Sequence, residues 1–193
     1  MHNFFLGSSF TAKDIKADFK HRGLSPEQPR NLFEQTAHRL AEGKIIGWFQ
    51  GKMEFGPRAL GARSILGDPR NTEMQSVMNR KIKFRESFRP FSPSVLRERA
   101  HDLFELNHEI ESPYMLLVAS VKEELRLQEQ NSHERVGLER LKGSLSMIPA
   151  VTHVDYSARL QTVDKVRHGR FHRLLHVFAT QTGCPALINT SFN

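Results

Sequence analysis

Thirteen residues, Gly51-Lys-Met-Glu-Phe-Gly-Pro-Arg-Ala-Leu-Gly-Ala-Arg63, carry three glycines and a proline between two apolar stretches. A segment of that composition cannot continue a helix or strand, so it must be a structured loop, and its two flanks must be separate elements. The preceding flank, Lys44-Ile-Ile-Gly-Trp-Phe-Gln50, is β-branched and aromatic and is expected to be a strand ending at Gly51. The following flank, Ser64-Ile-Leu-Gly-Asp68, is expected to be a second short strand. Upstream, Leu32, Phe33, Ala37, Leu40 and Ala41 follow helical spacing, and Gly43 suits the left-handed position after a last turn, predicting a helix over 31–41.

The rest of the chain mixes both kinds of element. Residues 1–30 are polar with scattered aromatics and read as an entry segment or linker, with the domain proper over 31–193. A helix over 72–79 is expected, capped by Thr72. The prolines of Phe88-Arg-Pro-Phe-Ser-Pro-Ser-Val-Leu96 favour extended chain there and around Lys83-Phe-Arg85. Residues 97–106 predict a helix, 114–121 a buried strand, and the charged stretch 122–143 an exposed helical insertion. A strand pair turning at Asp155-Tyr-Ser157, a helix over 169–182 ending at Gly183, and a last strand from Pro185 to Ile188 complete the reading. Without a strict βαβ rhythm the expected class is α+β, an open mixed twisted sheet with flanking helices.

At 193 residues, with 38% hydrophobic and 25% charged residues, the chain has the balance of a globular protein with its own core. Its longest apolar runs stop well short of the roughly 20 residues that span a bilayer, and with no secretion signal a cytoplasmic location is expected. The single cysteine, Cys184, has no internal partner and reads as a small buried residue. A net charge of +7 implies an anionic partner, whether nucleic acid, a phosphorylated small molecule or an acidic neighbouring domain.

Where the cations fall narrows that choice. Four groups follow expected strands or turns: Gly56-Pro-Arg58 with Arg63, Lys83-Phe-Arg85, Arg159, and Ser191-Phe-Asn193. Arginine forks match phosphate oxygens in pairs, lysine supplies a point charge, and Ser and Asn can orient a carbamate or carboxylate-like group. By residue type alone, Arg58, Lys83 and Arg85 read first as solvated surface charges, the usual fate of arginine and lysine. Arg63 and Arg89 could brace loops, and Arg70, Arg97 and Arg99 read as surface. His168, His172 and His176 recur every fourth residue and could hold a metal, but no acid or cysteine joins them, and no metal site is expected. His153 and Asp155, on one strand face, suit either a ligand contact or a structural pair. Trp48 and the phenylalanines are expected in the core.

The segments Gly47-Trp-Phe-Gln-Gly-Lys-Met-Glu-Phe-Gly-Pro-Arg-Ala-Leu-Gly61, Arg63-Ser-Ile-Leu66 and Lys83-Phe-Arg-Glu-Ser-Phe-Arg-Pro-Phe-Ser-Pro-Ser-Val-Leu96 carry a resemblance, with Thr152-His-Val-Asp155, Ala158-Arg-Leu-Gln-Thr-Val163 and Asn189-Thr-Ser-Phe-Asn193. In that order, from Gly43 onward, they resemble the carboxy-terminal, YrdC-like domain of the nodulation-factor and antibiotic O-carbamoyltransferases. The resemblance implies a domain that binds ATP, with its Mg²⁺, and carbamoyl phosphate, and forms carbamoyl-adenylate. A separate amino-terminal actin-like domain would then transfer the carbamoyl group to a hydroxylated metabolite. It places nucleotide and carbamoyl phosphate on Arg58, Lys83, Arg85, Arg159, Ser191 and Asn193, with Arg58, Lys83 and Arg159 neutralising phosphate. The family pattern continues past Asn193, so a piece of a longer enzyme, short at its carboxy end and without the transfer site, is expected. Asp155-Tyr-Ser157 stands where the family more commonly has Asp-Gly. The competing readings are an RNA-binding module, disfavoured because aromatic and basic residues do not interleave, and a non-catalytic docking domain.

Overall fold

A computed structural model describes residues 4–127 and 144–192. Six strands form one mixed sheet in the order β1-β2-β6-β3-β5-β4. They are β1 (Ile46–Phe49), β2 (Arg63–Gly67), β3 (Ser92–Leu96), β4 (Leu117–Ser120), β5 (Ser157–Val163) and β6 (Ala186–Thr190). All neighbours run antiparallel except β3 and β5, which run parallel. The expected α+β class with an open mixed sheet and flanking helices is what the chain adopts.

Helix α2 (Leu32–Ala41) packs with α5 (Arg170–Thr182) against the sheet. Phe33, Ala37 and Leu40 of α2 join Phe171, Leu174, Leu175 and Phe178 of α5 in one core with Leu66, Val95, Leu160 and Ile188. Burying such side chains contributes about 1.5–3 kcal/mol each. Gly183 ends α5 in the left-handed conformation (φ 78°), as its position in the sequence predicts. Cys184 is buried, and burial pushes its thiol up to about 11, which keeps it unreactive at neutral pH.

Several expectations need correction. The entry segment contains a helix, α1 (Ala12–His21), closed by a reciprocal Thr11–Asp14 capping box and burying none of its own residues. Helix α3 (Met74–Met78) is not capped by Thr72; the Asn71 carboxamide oxygen instead accepts from the Glu73 amide at 2.9 Å. Residues 97–106 form only a 3-10 helix, Arg97–Asp102. β4 is an edge strand rather than a buried one, with Val118 62% exposed, because an apolar run does not reveal whether a neighbour covers its outer face. The first arm of the expected strand pair is a 3-10 turn, Pro149–Val151, favoured by proline at its start. His153 and Asp155 therefore sit in a turn, with Tyr156 at φ 62°, rather than on a strand face. Of the expected insertion, residues 123–125 form a 3-10 turn, and 128–143 lie outside the described residues.

The histidine series is also broken. His168 ends the short helix α4 (Lys165–His168), and Gly169 (φ 42°) separates it from α5. His172 pairs with Glu98 at 2.7 Å, and no group of three metal-ligating side chains occurs among the described residues. His168 is 1% exposed, between the Asp164 carboxylate, the Gln161 amide and the rings of Phe4 and Phe5. Burial lowers it to about 4, against the attraction of Asp164. The unfolded chain, with histidine near its ordinary value of ~6.5, therefore binds more protons in that interval, so this site loses stability as pH falls from ~6.5 towards 4, by about 3 kcal/mol in all. Denaturant unfolding at pH 7 and 4.5 should show the wild type losing more stability than His168→Gln; equal losses would refute it.

Candidate functional site

The loop between β1 and β2 is held by its own side chains. Glu54, 5% exposed, turns Oε1 to the amides of Leu60, Ala62 and Arg63 at 2.7, 3.0 and 3.2 Å. Arg63 donates to the carbonyls of Gln50, Ala62, Gly51 and Ser8 and stacks on Phe49 at 3.4 Å, which makes it a loop brace. From the sheet, the Asn189 amide donates to the carbonyl of Ala59 and the Gln161 amide to that of Leu60, both at 3.0 Å. The loop is thus pinned immediately after Arg58.

Lys83 and Arg85 are not in extended chain. α3 runs into a wider π-helical turn, Asn79–Lys83, which stops at Phe84 in the left-handed conformation (φ 47°). That turn throws Phe84 outward, 84% exposed, and leaves the cations on either side of it facing one cavity. Asn79, fully buried, organises the turn: its Oδ1 accepts from Arg85 Nε at 2.6 Å and its amide donates to the carbonyls of Ser87 and Arg89. Arg85 also lies over the Phe91 ring at 4.8 Å. Lys83 Nζ donates to the carbonyl of Ser191 at 2.9 Å, joining the turn to the end of β6.

The third wall is the sheet. On β5, Arg159 donates through Nε and Nη2 to the Ser92 hydroxyl of β3 at 3.3 and 3.1 Å. Arg58, Lys83, Arg85, Arg159, Ser191 and Asn189 together line a cavity of about 260 Å³. No Asp or Glu is among its described lining residues. Burial, then the charge of Arg85, holds Lys83 below the ordinary lysine value. Burial and Arg58 likewise lower Arg159, and burial and Arg89 lower Arg85. Cations that depress one another in a partly desolvated cleft are relieved by a bound anion.

Five of the six expected site residues thus line one cavity, and Asn193 lies outside the described residues. Arg89 is exposed and paired with Glu86 at 3.7 Å. Arg70, expected at the surface, instead clamps the buried Asp68 through two nitrogens, Nε at 2.9 Å and Nη2 at 2.5 Å. Arg97 and Arg99 form partly exposed pairs with Glu111 and Asp102. Trp48 is in the core as expected, whereas Phe55, Phe84 and Phe192 are exposed. Sequence reasoning missed Glu54, Asn79, Gln161 and Asn189, neutral or acidic residues whose sole signal was a polar side chain amid apolar ones.

No described helix is long and apolar enough to cross a membrane. A family model described as Carbamoyltransferase C-terminus matches residues 37–193. An uncharacterized Synechocystis protein is 52% identical over 198 residues, covering 100% of this chain and 32% of its own length. The nodulation protein NolNO of Sinorhizobium fredii is 41% identical over 86% of this chain and 22% of its own. The 3'-hydroxymethylcephem-O-carbamoyltransferase of Amycolatopsis lactamdurans is 38% identical over 83% of this chain and 26% of its own. The chain spans about a third or less of each of these relatives. With its family model covering the sheet and every wall of the cationic cavity, the chain belongs to the carbamoyltransferase carboxy-terminal family.

Proposed function

We propose that the cavity binds ATP and carbamoyl phosphate and forms carbamoyl-adenylate, which a separate actin-like domain of a longer protein uses for O-carbamoylation of a hydroxylated metabolite. The observation that carries this is the convergence of Arg58, Lys83, Arg85 and Arg159 with Ser191 on one cavity whose described lining has no carboxylate. Such a site favours a ligand with several phosphoryl oxygens.

In this reading carbamoyl phosphate and one water give carbamate and phosphate, and a carbamate oxygen then attacks the α-phosphorus of ATP. The new O–P bond replaces the bond to the departing pyrophosphate. Charge grows on phosphoryl oxygens during that displacement, and preorganised cations stabilise it, so no protein nucleophile is needed. Arg58, Lys83 and Arg159 neutralise phosphate, Arg85 is held by Asn79 to bind it, and Ser191, with Asn193, positions the activated group. The described lining offers no acidic ligand, so Mg²⁺ would be held by the nucleotide's phosphates and water and would supply further neutralisation of phosphate charge.

Isothermal titration with ATP–Mg²⁺, with and without carbamoyl phosphate, tests this together with pyrophosphate release. Saturable ATP binding and pyrophosphate release that depends on carbamoyl phosphate are expected. A folded chain that binds neither ligand refutes the reading, and RNA affinity that falls steeply with salt would install the RNA-binding alternative.

A further inference from the structure

We infer that the base of the nucleotide lies outside the cationic cavity, in an adjoining pocket walled by Phe88, Pro90, Pro149 and Val154 and faced by His153; this rests on the function proposed above. Clefts that enclose small-molecule ligands run to roughly 300–1,000 Å³. The cavity, at about 260 Å³, has to take a triphosphate and carbamoyl phosphate together. What does not fit must leave along a wall that the cavity shares with a neighbour. The parallel pairing of β3 and β5 supplies one, because it brings the segments leading into both strands to the same edge of the sheet. Phe88 and Pro90 lie in the segment before β3, and His153 and Val154 in the turn before β5.

The pocket formed there holds about 210 Å³ and meets the cavity at Pro90, which lines both. Its walls are mostly apolar, and Phe88 and Val154, 41% and 58% exposed, present surface that a ligand can reach. Burial lowers the His153 ring below the ordinary histidine value, with Asp155 pulling it up and Arg159 pushing it further down. At pH 7 it is therefore a neutral imidazole with one donor and one acceptor nitrogen. Arg159 itself lines the cavity, so His153 and the phosphate site lie within reach of one ligand. Apolar walls, an aromatic ring and a neutral imidazole suit a planar base, since stacking recognises its face and the ring nitrogens its edge. A second pocket shares Arg58 and Ser191 with the cavity, but it is lined by the charged Glu54 and by Arg63, whose guanidinium already serves four carbonyls.

The test titrates two probes into the whole chain: ATP–Mg²⁺, and Mg²⁺–tripolyphosphate, which has the row of phosphates without the nucleoside. Wild type is expected to bind ATP roughly tenfold or more tighter than tripolyphosphate. Phe88→Ala, which removes a partly exposed ring and should fold, and His153→Ala should each weaken ATP severalfold and leave tripolyphosphate unchanged. A merely structural role for either residue moves both affinities together, so the ratio separates the two. Phe192→Ala, in the second pocket, should keep the ratio. A ratio that survives in the Phe88 and His153 variants overturns the inference, and its loss in Phe192→Ala instead would move the base to the second pocket. Wild-type ATP binding no tighter than that of tripolyphosphate overturns the inference while leaving the anion site standing. Absence of binding by both probes overturns the proposed function, and this inference with it.

Discussion

Replacing Lys83 by methionine, which keeps the apolar stem and removes the charge, is expected to weaken binding of ATP–Mg²⁺ and of carbamoyl phosphate by about 100-fold, or ~3 kcal/mol. The size follows from position: Lys83 is partly desolvated, beside Arg85, in a cavity with no acid in its described lining. Because it also ties the turn to the Ser191 carbonyl, part of the loss could be structural. A pH titration separates the parts. The arginines stay protonated throughout, whereas Lys83 is held below its ordinary value of ~10.4 by burial and then by Arg85. A phosphate bound beside it favours its charged form and raises its pKa, so affinity should be full below the pKa of the free site. It should then fall as pH rises from there to the raised pKa of the phosphate-bound site. Lys83→Met should lose that alkaline fall along with the affinity, and Lys83→Arg should keep affinity without the fall. An unchanged wild-type profile in the methionine variant would remove Lys83 from the binding machinery.

What was legible in the sequence was whatever local chemistry decides. Glycine and proline at Gly56, Pro57 and Gly61 required a loop, β-branched runs gave β1, β2 and β6, and Gly183 marked the end of α5. The cations were legible because arginine and lysine near turns have few roles. Their convergence was not, since it depends on a π-helical turn and a left-handed Phe84 that carry no local signature. β4 was misplaced for a related reason, because whether an apolar strand lies central or at an edge is decided by its neighbours. The same holds for Glu54, Gln161 and Asn189. A buried polar residue is distinguished from a solvated one by the backbone groups it meets: Glu54 meets amides of its own loop, and Gln161 and Asn189 meet carbonyls of that loop from across the fold. The histidine spacing suggests one helix face, which the structure does not form because Gly169 inserts a turn that the period alone does not show.

The same loop gives the largest stability change expected of any single methyl group. Gly61 has φ 104°, and a Cβ there would lie 2.2 Å from Cδ1 of Phe171, a fully buried ring in α5. Gly61→Ala therefore combines an unfavourable backbone conformation with overpacking against a ring that has little room to retreat, and is expected to cost about 4 kcal/mol. Gly183→Ala provides the comparison: its φ is 78° but nothing lies within 4 Å of the added carbon, so it reports left-handed backbone alone, about 1 kcal/mol. If the Phe171 contact dominates, Gly61→Ala combined with Phe171→Leu should be less destabilised than the sum of the single changes, measured by denaturant unfolding. Strict additivity would assign the loss to the backbone. The effect should also reach the cavity, because Gly61 follows the two carbonyls that Asn189 and Gln161 hold, and any retreat of the loop from Phe171 drags Arg58 with it. Phosphate affinity in Gly61→Ala should therefore fall further than in Gly183→Ala, even under conditions where both variants are fully folded. Equal affinities would show that the core and the cationic loop are not mechanically joined.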